Sequence, residues 1–354
     1  MTLTKRMRKN PTATLRLTLD LEALRGNWLA LSKLSEAAVA GAAVKANCYG
    51  LGVERCVPTL RDAGCEIFFI AHWSELEHVA KYVSPSHVSV LHGPLNEEEA
   101  QFCLSSGAVP VINSVRQAII WKEVGGGLCH LMVDTGMNRL GLSPNDISNT
   151  AIQELDVDIL MSHLACSDED NSMNSRQRMS FSDLLGSVKY RRASLANSGG
   201  IMLGQDYHFD VTRPGLAIFG GTPRRELANH IRQVARPEAV VIQTRFLMQG
   251  DTVGYNASFK AETDMKVATV SIGYADGFLR SRGFGQKSLM FGAQHLPIIG
   301  KISMDMLVVD ISSVPNVTEG DWLEVPFNLF EEANASGLSQ YELLTSLGNR
   351  FTII

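Results

Sequence analysis

Short apolar segments alternate with helical segments over the first two thirds of the sequence, and this alternation constrains the fold more than any other feature. The predicted strands include 66–71, 87–91, 108–112, 128–133 and 157–161, and the predicted helices between them include 53–63, 74–82, 97–105 and 115–124. Strands and helices of these lengths in this order form βαβ units, which build a parallel sheet. Further segments at 37–44, 174–188, 193–196 and before Arg213 bring the pattern towards eight units. The sequence therefore predicts an α/β fold that begins with a (β/α)8 barrel of the TIM type.

The pattern changes near Pro237, where helical spacing nearly disappears. The predicted elements beyond it are strands at 239–247, 265–272, 288–291, 307–311, 322–325 and 350–354, with a short helix at 339–346. Such a run is typical of a mainly antiparallel β domain. A chain of 354 residues also exceeds the size at which a single core usually stops growing. We predict a flexible basic tail at 1–13, a barrel at 14–236 and a C-terminal β domain at 237–354, with 14–19 as a candidate first strand of the β domain.

Composition and charge exclude several classes of protein. The net charge of −5 argues against a nucleic-acid-binding protein, because basic residues cluster only within the first ten positions. No apolar run approaches the roughly 20 residues that a membrane-spanning helix needs. The six cysteines form no C-x-x-C pair and have no metal-ligand spacing, so we expect neither disulfides nor a metal site. We expect a cytoplasmic protein that binds neither nucleic acid nor a membrane.

Lys45 closes the apolar run 37–44 and precedes a turn that contains glycine. Active sites of α/β barrels lie at the C-terminal ends of the strands, where this lysine is expected. Partial burial lowers the pKa of an amine and makes the neutral form available to react with an aldehyde. A lysine that extends from the strand end to water is an equally ordinary interpretation. The segment alone leaves both interpretations open.

Residues 44–52, V-K-A-N-C-Y-G-L-G, resemble the motif around the cofactor lysine of alanine racemases, which are fold type III enzymes that use pyridoxal 5'-phosphate. The resemblance implies that Lys45 carries this cofactor as a Schiff base. It also implies that Tyr49 hydrogen-bonds the cofactor phosphate. Similar motifs continue through the chain from about Leu17 to Arg350.

Two motifs follow predicted strands at the same rim as Lys45. The segment 134–141, D-T-G-M-N-R-L-G, contains Arg139, and the segment 161–166, M-S-H-L-A-C, contains His163. Taken singly, a surface arginine and a buried structural histidine are the ordinary interpretations. The resemblance places Arg139 near the phenolic oxygen of the cofactor and the substrate carboxylate, a role that suits a fixed cation.

Two later motifs complete the predicted cofactor site. They are A-N-S-G-G at 196–200, with Ser198, and R-P-G-L-A-I-F-G at 213–220. The resemblance implies that the cofactor phosphate is bound by the Ser198 side chain and by the backbone N–H groups of Gly215 and Leu216. It also implies that Arg213 contacts the pyridine nitrogen and that His163 supports Arg213.

The predicted β domain carries the remaining motifs of the family. V-G-Y at 253–255, S-I-G-Y-A-D-G at 271–277 and I-G-K-I-S-M-D at 299–305 resemble them. Racemisation needs a base on each face of the α-carbon, and the resemblance assigns one face to Lys45 and the other to Tyr255. It places Met304 and Asp305 beside the substrate carboxylate and Tyr274 at the entrance of the site. In the family the tyrosine base comes from the partner subunit, which implies a homodimer with shared active sites.

The sequence departs from the family pattern at two positions. Many relatives carry a lysine, often carbamylated, seven residues before the motif arginine, where this chain has Met132. Another group, such as Asn138 or a bound ion, is then needed to orient Arg139. Relatives often have a tyrosine that contacts the phosphate where this chain has Asn349, which implies a wider and more polar substrate pocket.

The resemblance implies an isomerase that interconverts L-alanine and D-alanine by a two-base mechanism and supplies D-alanine for the bacterial cell wall. A serine or broad-specificity racemase is the first alternative, because of Asn349. A type III decarboxylase is less favoured, because it would carry an acidic residue in place of Arg213. A non-catalytic protein that binds pyridoxal phosphate would lack the β domain that follows Pro237. The sequence does not separate a biosynthetic from a catabolic role.

Overall fold

The computed structural model describes residues 13–283 and 287–354, so nearly all of the predicted basic tail lies outside the described residues. The chain forms two compact units. The barrel unit is Asp20–Val234, and the β unit joins the residues up to Leu19 to Ala235–Ile354. The strand predicted at 14–19 therefore belongs to the β unit.

The β-strands, in chain order, are β1 (Leu15–Leu19), β2 (Val39–Ala40), β3 (Ala42–Ala43), β4 (Phe68–Ile70), β5 (Val88–Val90), β6 (Val109–Ile112), β7 (Leu128–Met132), β8 (Asp156–Met161), β9 (Tyr190–Ser194), β10 (Val211–Thr212), β11 (Ala235–Leu247), β12 (Thr252–Val253), β13 (Phe259–Lys260), β14 (Met265–Val270), β15 (Ser288–Phe291), β16 (Gln294–Ile299), β17 (Leu307–Asp310), β18 (Trp322–Glu324) and β19 (Thr352–Ile353). The helical segments are α1 (Leu21–Leu34), α2 (Lys45–Tyr49), α3 (Val53–Asp62), α4 (Trp73–Val79), α5 (Glu97–Ser106), α6 (Val115–Glu123), α7 (Thr150–Gln153), α8 (Ser172–Leu184), α9 (Leu329–Ser336) and α10 (Gln340–Thr345). Short 3-10 helices lie at Pro85–His87, Pro144–Asp146, Gly200–Leu203, Gln205–Tyr207, Leu216–Phe219, Arg225–Asn229, Tyr255–Ala257, Tyr274–Asp276 and Arg280–Gly283.

The barrel unit is built on a curled parallel sheet in the order β3-β4-β5-β6-β7-β8-β9. A parallel pair of β2 and β10 closes it: the Asp210 N–H donates to the Ala193 carbonyl (3.0 Å) and the Arg213 N–H donates to the Ala196 carbonyl (2.8 Å). The predicted barrel is therefore confirmed. The single strand predicted at 37–44 is instead split at Gly41, because β2 pairs with β10 whereas β3 pairs with β4.

The two faces of the curled sheet carry different side chains. Phe69, Val111, Met132, Met161 and Val211 pack together in one buried cluster. On the opposite face, strand residues such as Leu131 and Leu160 pack against helix residues such as Ala118 and Phe181. Alternation along each strand therefore separates the barrel interior from the helical layer. Met132 is 6% exposed and fills the interior, as an apolar residue should.

The same sheet also contains a group of hydrogen-bonded polar side chains, centred on His130 of β7. His130 accepts the Ile159 N–H through Nδ1 (3.2 Å), so Nε2 carries the hydrogen and donates to Ser89 Oγ (3.0 Å). Beside it, Arg192 donates to both oxygens of Asp158, at 3.2 and 2.5 Å. Burial lowers the pKa of His130 to about 4, so the ring is neutral near pH 7.

The β unit has the sheet order β14-β17-β16-β15-β18-β11-β1-β19. The long strand β11 pairs antiparallel with β1, β14 and β18, and only β1 and β19 are parallel among the described pairs of this sheet. The prediction of a mainly antiparallel β domain is confirmed.

His130 makes the stability of the barrel unit depend on pH. An unfolded histidine titrates near pH 6.5 and the folded His130 near pH 4, so the unfolded chain binds the extra proton between these values. The contribution of His130 to the free energy of unfolding is therefore fully present above pH 6.5, and it falls as the pH is lowered. We expect wild type to lose about 2 kcal/mol between pH 7.5 and pH 5 through this residue.

Urea unfolding at the two pH values measures this loss. His130→Gln should show a smaller loss, whereas His78→Gln, on the exposed last turn of α4, should behave as wild type. An equal loss in His130→Gln and wild type would contradict this assignment. The neutral His163, whose pKa is also lowered by burial, contributes in the same direction in all three proteins.

Candidate active site

The barrel brings the predicted cofactor residues to one rim. Lys45 follows β3, Arg139 follows β7, His163 follows β8, Ser198 follows β9 and Arg213 follows β10. The strands are parallel, so their C-terminal ends lie at the same edge. Burial lowers the pKa of His163, and the charges of Arg213, Arg139 and Lys45 lower it further.

Lys45 begins a left-handed turn that sequence reasoning did not predict. Residues 46–49 all have φ between 53° and 55°, and Gly50 follows with φ 90°. The left-handed helical conformation costs roughly 1–2 kcal/mol for each residue other than glycine. The four residues together therefore cost on the order of 4–8 kcal/mol, which the surrounding structure must offset.

Hydrogen bonds hold the second half of this turn. The Gly50 N–H donates to the Ala46 carbonyl (2.9 Å) and the Gly52 N–H donates to the Asn47 carbonyl (3.0 Å). The Asn47 side chain accepts the Val53 N–H at 3.0 Å and so joins the turn to the start of α3. Asparagine tolerates the left-handed region better than most residues, and this was the one local signal for the turn.

The turn carries Tyr49 into the barrel unit, where its side chain is 5% exposed. The ring packs against Phe219 with the centroids 4.9 Å apart. The hydroxyl lies over the backbone of Gly215, since a Cβ added there would be 2.2 Å from it. Only glycine fits this position without moving the tyrosine.

Ser198 shapes the same region. Its Oγ accepts the N–H groups of Gly215 (2.9 Å) and Ala217 (3.2 Å) at the start of the Leu216–Phe219 helix. Ser198 and Leu216 are each 2% exposed. The structure therefore brings together Tyr49, Ser198, Gly215 and Leu216, which the sequence motifs grouped as phosphate ligands.

Arg213 is 7% exposed and has neutral partners. It donates to the Ser162 carbonyl (2.5 Å) and to Ser194 Oγ. Burial lowers the pKa of Arg213 to about 10, which leaves it charged near pH 7. Burial and the Arg213 charge lower the pKa of His163 to about 3, so this ring is neutral. Sequence reasoning assigned no role to Ser162, which lies inside the 161–166 motif, or to Ser194, which lies outside the motifs.

Arg139 is exposed on a loop that Asp134 shapes. The Asp134 carboxylate accepts the N–H groups of Gly136 (2.8 Å) and Met137 (2.9 Å). The Asn138 amide donates to the Gly136 carbonyl (3.4 Å) within the same loop. The expectation that Asn138 or a bound ion orients Arg139 stays a prediction.

Lys45 has the environment of a reactive amine. Burial lowers its pKa, the positive charge of Arg139 lowers it further, and the carboxylate of Glu75 opposes both. A larger fraction of the amine is therefore neutral than for a lysine in water. This property suits both a nucleophile and a base.

In the β unit the predicted residues are exposed. Tyr255 is 63% exposed, Met304 is 53% exposed and Tyr274 is 36% exposed. Tyr274 lies under the Arg280 guanidinium, whose carbon is 5.5 Å from the ring centroid. The backbone N–H of Tyr274 donates to the Ser303 carbonyl at 3.1 Å. This hydrogen bond joins the loops that carry Tyr274 and Met304.

Arg350 joins its own C-terminal segment to the segments that carry Asp276 and Asp305. Sequence analysis assigned it no role. It donates to both carboxylate oxygens of the buried Asp276, at 2.7 and 2.8 Å, and to Asp305 at 2.7 Å. Asn349, the preceding residue, is exposed. Asp276 lies within the 271–277 motif and Asp305 ends the 299–305 motif, so an acidic residue with no assigned partner in each motif was the available signal. The role expected for Asn349 in the substrate pocket stays a prediction.

Comparison with known proteins places the chain in a family. The model of the alanine racemase N-terminal domain matches residues 19–223, and that of the C-terminal domain matches residues 234–354. The chain belongs to the alanine racemase family. The alanine racemase of Rhizobium meliloti is 39% identical, with 96% of each chain covered, and the biosynthetic alanine racemase of Agrobacterium fabrum is 38% identical, with 96% of this chain and 93% of the other covered.

Solved structures agree with this placement. The alanine racemase of Bartonella henselae, with covalently bound pyridoxal phosphate, has a TM-score of 0.87 at 34% identity and covers 97% of this chain and 99% of its own. The biosynthetic alanine racemase of Pseudomonas aeruginosa has the same TM-score at 30% identity, with the same coverage. The resemblance inferred from the motifs is confirmed, and the decarboxylase and non-catalytic alternatives are not favoured.

Three further observations concern the expected absences. All six cysteines are free, and five of them are buried. Among the described residues, no group of three or more His, Cys, Asp or Glu side chains could hold a metal ion. No helix in the described part of the chain has the length and apolar character to cross a membrane.

We predict that Gly215→Ala destabilises the chain by about 1–3 kcal/mol, because the new methyl group overlaps the Tyr49 hydroxyl in a packed site. Chemical unfolding measures this loss. Gly186→Ala is the matched control, since a Cβ there meets nothing within 4 Å.

A double-mutant cycle locates the clash. In a Tyr49→Phe background, which lacks the overlapping oxygen, Gly215→Ala should cost less than in wild type. An equal cost in both backgrounds would show that the tyrosine is not what restricts this glycine.

Proposed function

We propose that this chain interconverts L-alanine and D-alanine with bound pyridoxal 5'-phosphate, and that Lys45 and Tyr255 are its two bases. The observation that carries the proposal is the group at the barrel rim: the partly buried Lys45, the buried Arg213, and Gly215 beneath the Tyr49 hydroxyl all lie at the C-terminal ends of the parallel strands. Membership of the alanine racemase family and the bound pyridoxal phosphate of the Bartonella henselae relative support it.

The residues present fit a phosphorylated cofactor. The Ser198 oxygen accepts two N–H groups, which leaves its own hydrogen to donate to an anion. The Tyr49 hydroxyl, the Leu216 N–H and the Gly215 N–H, which here donates to Ser198 Oγ, belong to the same group, and we assign the phosphate to these residues. We assign Arg213 to the ring nitrogen, where a group that keeps its own proton does not protonate the ring. When bound, the cofactor withdraws electrons from the substrate and makes its α-proton acidic.

The protein then has to move one proton between two faces of the α-carbon. The Lys45 nitrogen, whose pKa is lowered, takes or returns the proton on one face. The Tyr255 hydroxyl does so on the other face. We assign the substrate carboxylate to Arg139 of the barrel unit, and we assign roles in substrate binding to Met304 and Asp305 of the β unit and a role in substrate entry to its Tyr274. We assign the support of Arg213 to His163, whose neutral ring adds no further charge.

We expect Tyr255→Phe to affect the two enantiomers unequally, because each base removes the proton of only one. In deuterated water, the variant should still exchange the α-proton of D-alanine through Lys45. It should exchange that of L-alanine at least about 100-fold more slowly, the usual contribution of a positioned base. Nuclear magnetic resonance of the α-position measures both rates.

Tyr341→Phe, at an exposed position on α10, serves as the control and should match wild type for both enantiomers. If Tyr255→Phe slows the two exchange reactions equally, Tyr255 positions the substrate and is not a base. The same measurement on wild type with L-serine tests whether the substrate is alanine.

We also propose a homodimer in which the partner subunit's Tyr255 completes the site of each barrel. The exposure of Tyr255 on its own unit supports this arrangement. Mixing inactive Lys45→Ala and Tyr255→Phe chains should then restore about a quarter of wild-type activity, because half of the dimers are mixed and each has one intact site. Mass spectrometry first verifies that the subunits have exchanged. If the mixture then recovers no racemase activity, a shared site is ruled out.

A further inference from the structure

Glu75 connects two loops at the barrel rim. It is the third residue of α4, and one carboxylate oxygen accepts the N–H groups of Ala71 (2.7 Å) and His72 (3.0 Å) at the start of that helix. The other oxygen accepts the N–H of Ala46. A single side chain therefore joins the loop after β4 to the loop after β3.

Ala46 is the residue at which the backbone becomes left-handed, directly after Lys45. The hydrogen bonds within the turn begin with the N–H groups of later residues. The N–H groups of a first helical turn lack acceptors within it and need another partner. Glu75 supplies that acceptor at the peptide that joins Lys45 to the turn.

Glu75 also differs in charge from the other groups around Lys45. The charge of Arg139, on the loop after β7, lowers the pKa of Lys45, and the charge of Lys45 lowers the pKa of His163, on the loop after β8, and of His92, on the loop after β5, in addition to burial. Arg139 disfavours the protonated amine, and Glu75 is the carboxylate that favours it. The same group therefore acts on Lys45 through the backbone and through charge.

We propose that Glu75 is a positioning residue for Lys45: its carboxylate fixes the first peptide of the left-handed turn, which directs the lysine side chain. The proposal rests on the proposed function, in which Lys45 is the cofactor lysine. The competing interpretation is that Glu75 only caps α4 through Ala71 and His72.

Three variants separate the two roles. Glu75→Gln keeps a carbonyl oxygen for the α4 cap, because glutamine serves at this position of a capping box, but it turns an N–H₂ group towards the Ala46 N–H. Glu75→Asp keeps the charge but shortens the side chain, so that it cannot reach Ala46 while it caps the helix. Glu77→Gln, an exposed residue on the same helix, is the matched control.

The first measurement is hydrogen exchange by mass spectrometry on the full chain, followed in peptides that cover 44–52 and 71–79. We expect Glu75→Gln and Glu75→Asp to exchange at least about tenfold faster in 44–52, since the loss of one hydrogen bond of ordinary strength has about that effect. Exchange in 71–79 should match Glu77→Gln. Faster exchange confined to 71–79, or none in either segment, would overturn the proposal.

The second measurement follows the visible absorbance of bound pyridoxal phosphate as a function of pH. Removal of the negative charge disfavours the protonated Lys45 nitrogen. The pH at the midpoint of the absorbance change should therefore be lower in Glu75→Gln than in wild type. It should stay near the wild-type pH in Glu75→Asp and Glu77→Gln. A helix cap without influence on Lys45 would give the same transition in all four proteins, which would overturn the charge role.

Borohydride reduction and peptide mapping of wild type separate a failure of this proposal from a failure of the proposed function. If the cofactor mass is absent from Lys45 in wild type, the proposed function is wrong and the positioning role falls with it. If the mass is on Lys45 and the Glu75 variants match Glu77→Gln in both measurements, only the role of Glu75 is wrong. If Glu75→Gln does not fold, Glu75→Asp still decides the question through the exchange of 44–52.

Discussion

The left-handed turn after Lys45 is the constraint on which the rest of the site depends. Its cost, on the order of 4–8 kcal/mol, is comparable to the whole stability of a typical domain, about 5–15 kcal/mol. Such a turn persists only where several other interactions fix it. Here the ring of Tyr49 against Phe219, the Asn47 bond to α3 and the Glu75 carboxylate do so from three directions. Both ends of the turn are thereby fixed, with the lysine at one end and the tyrosine at the other.

The electrostatics of the rim follow from how the barrel treats Arg213. A buried arginine is usually paired with a carboxylate, but this one donates to a serine hydroxyl and a backbone carbonyl. Its charge therefore remains uncompensated among these partners and adds to the effect of burial, which lowers the pKa of His163. With Arg139 and Lys45 at the same rim, the site favours anionic ligands. A phosphate and a carboxylate supply that charge in the proposed reaction.

Periodicity predicted both architectures, because each strand and helix of the barrel is a local pattern and the change near Pro237 is abrupt. Motifs predicted which residues share the rim. Neither could predict the split at Gly41, which depends on a change of neighbouring strand, or the clamp from Arg350 to Asp276, which lies 74 residues away in the chain. Apart from Asn47, local propensity also gives no reason for K-A-N-C-Y to be left-handed. The turn contacts Glu75 and Phe219, which are distant in the chain and which one sequence does not pair with it.

Backbone strain in this chain is concentrated where the chemistry is proposed. Among the described residues, nine other than glycine have positive φ, and seven of these are 46–49, 138, 256 and 257. They directly follow Lys45, precede Arg139 or follow Tyr255, the three residues proposed to act on the α-proton and the substrate carboxylate. Strained backbone persists against its cost only where the surroundings hold it, and its position is an observation independent of the motifs. Proton transfer on two opposite faces tolerates little error in the direction of either base. A backbone with few alternative conformations at both candidate bases meets that requirement, whereas a flexible loop with the same side chains would not.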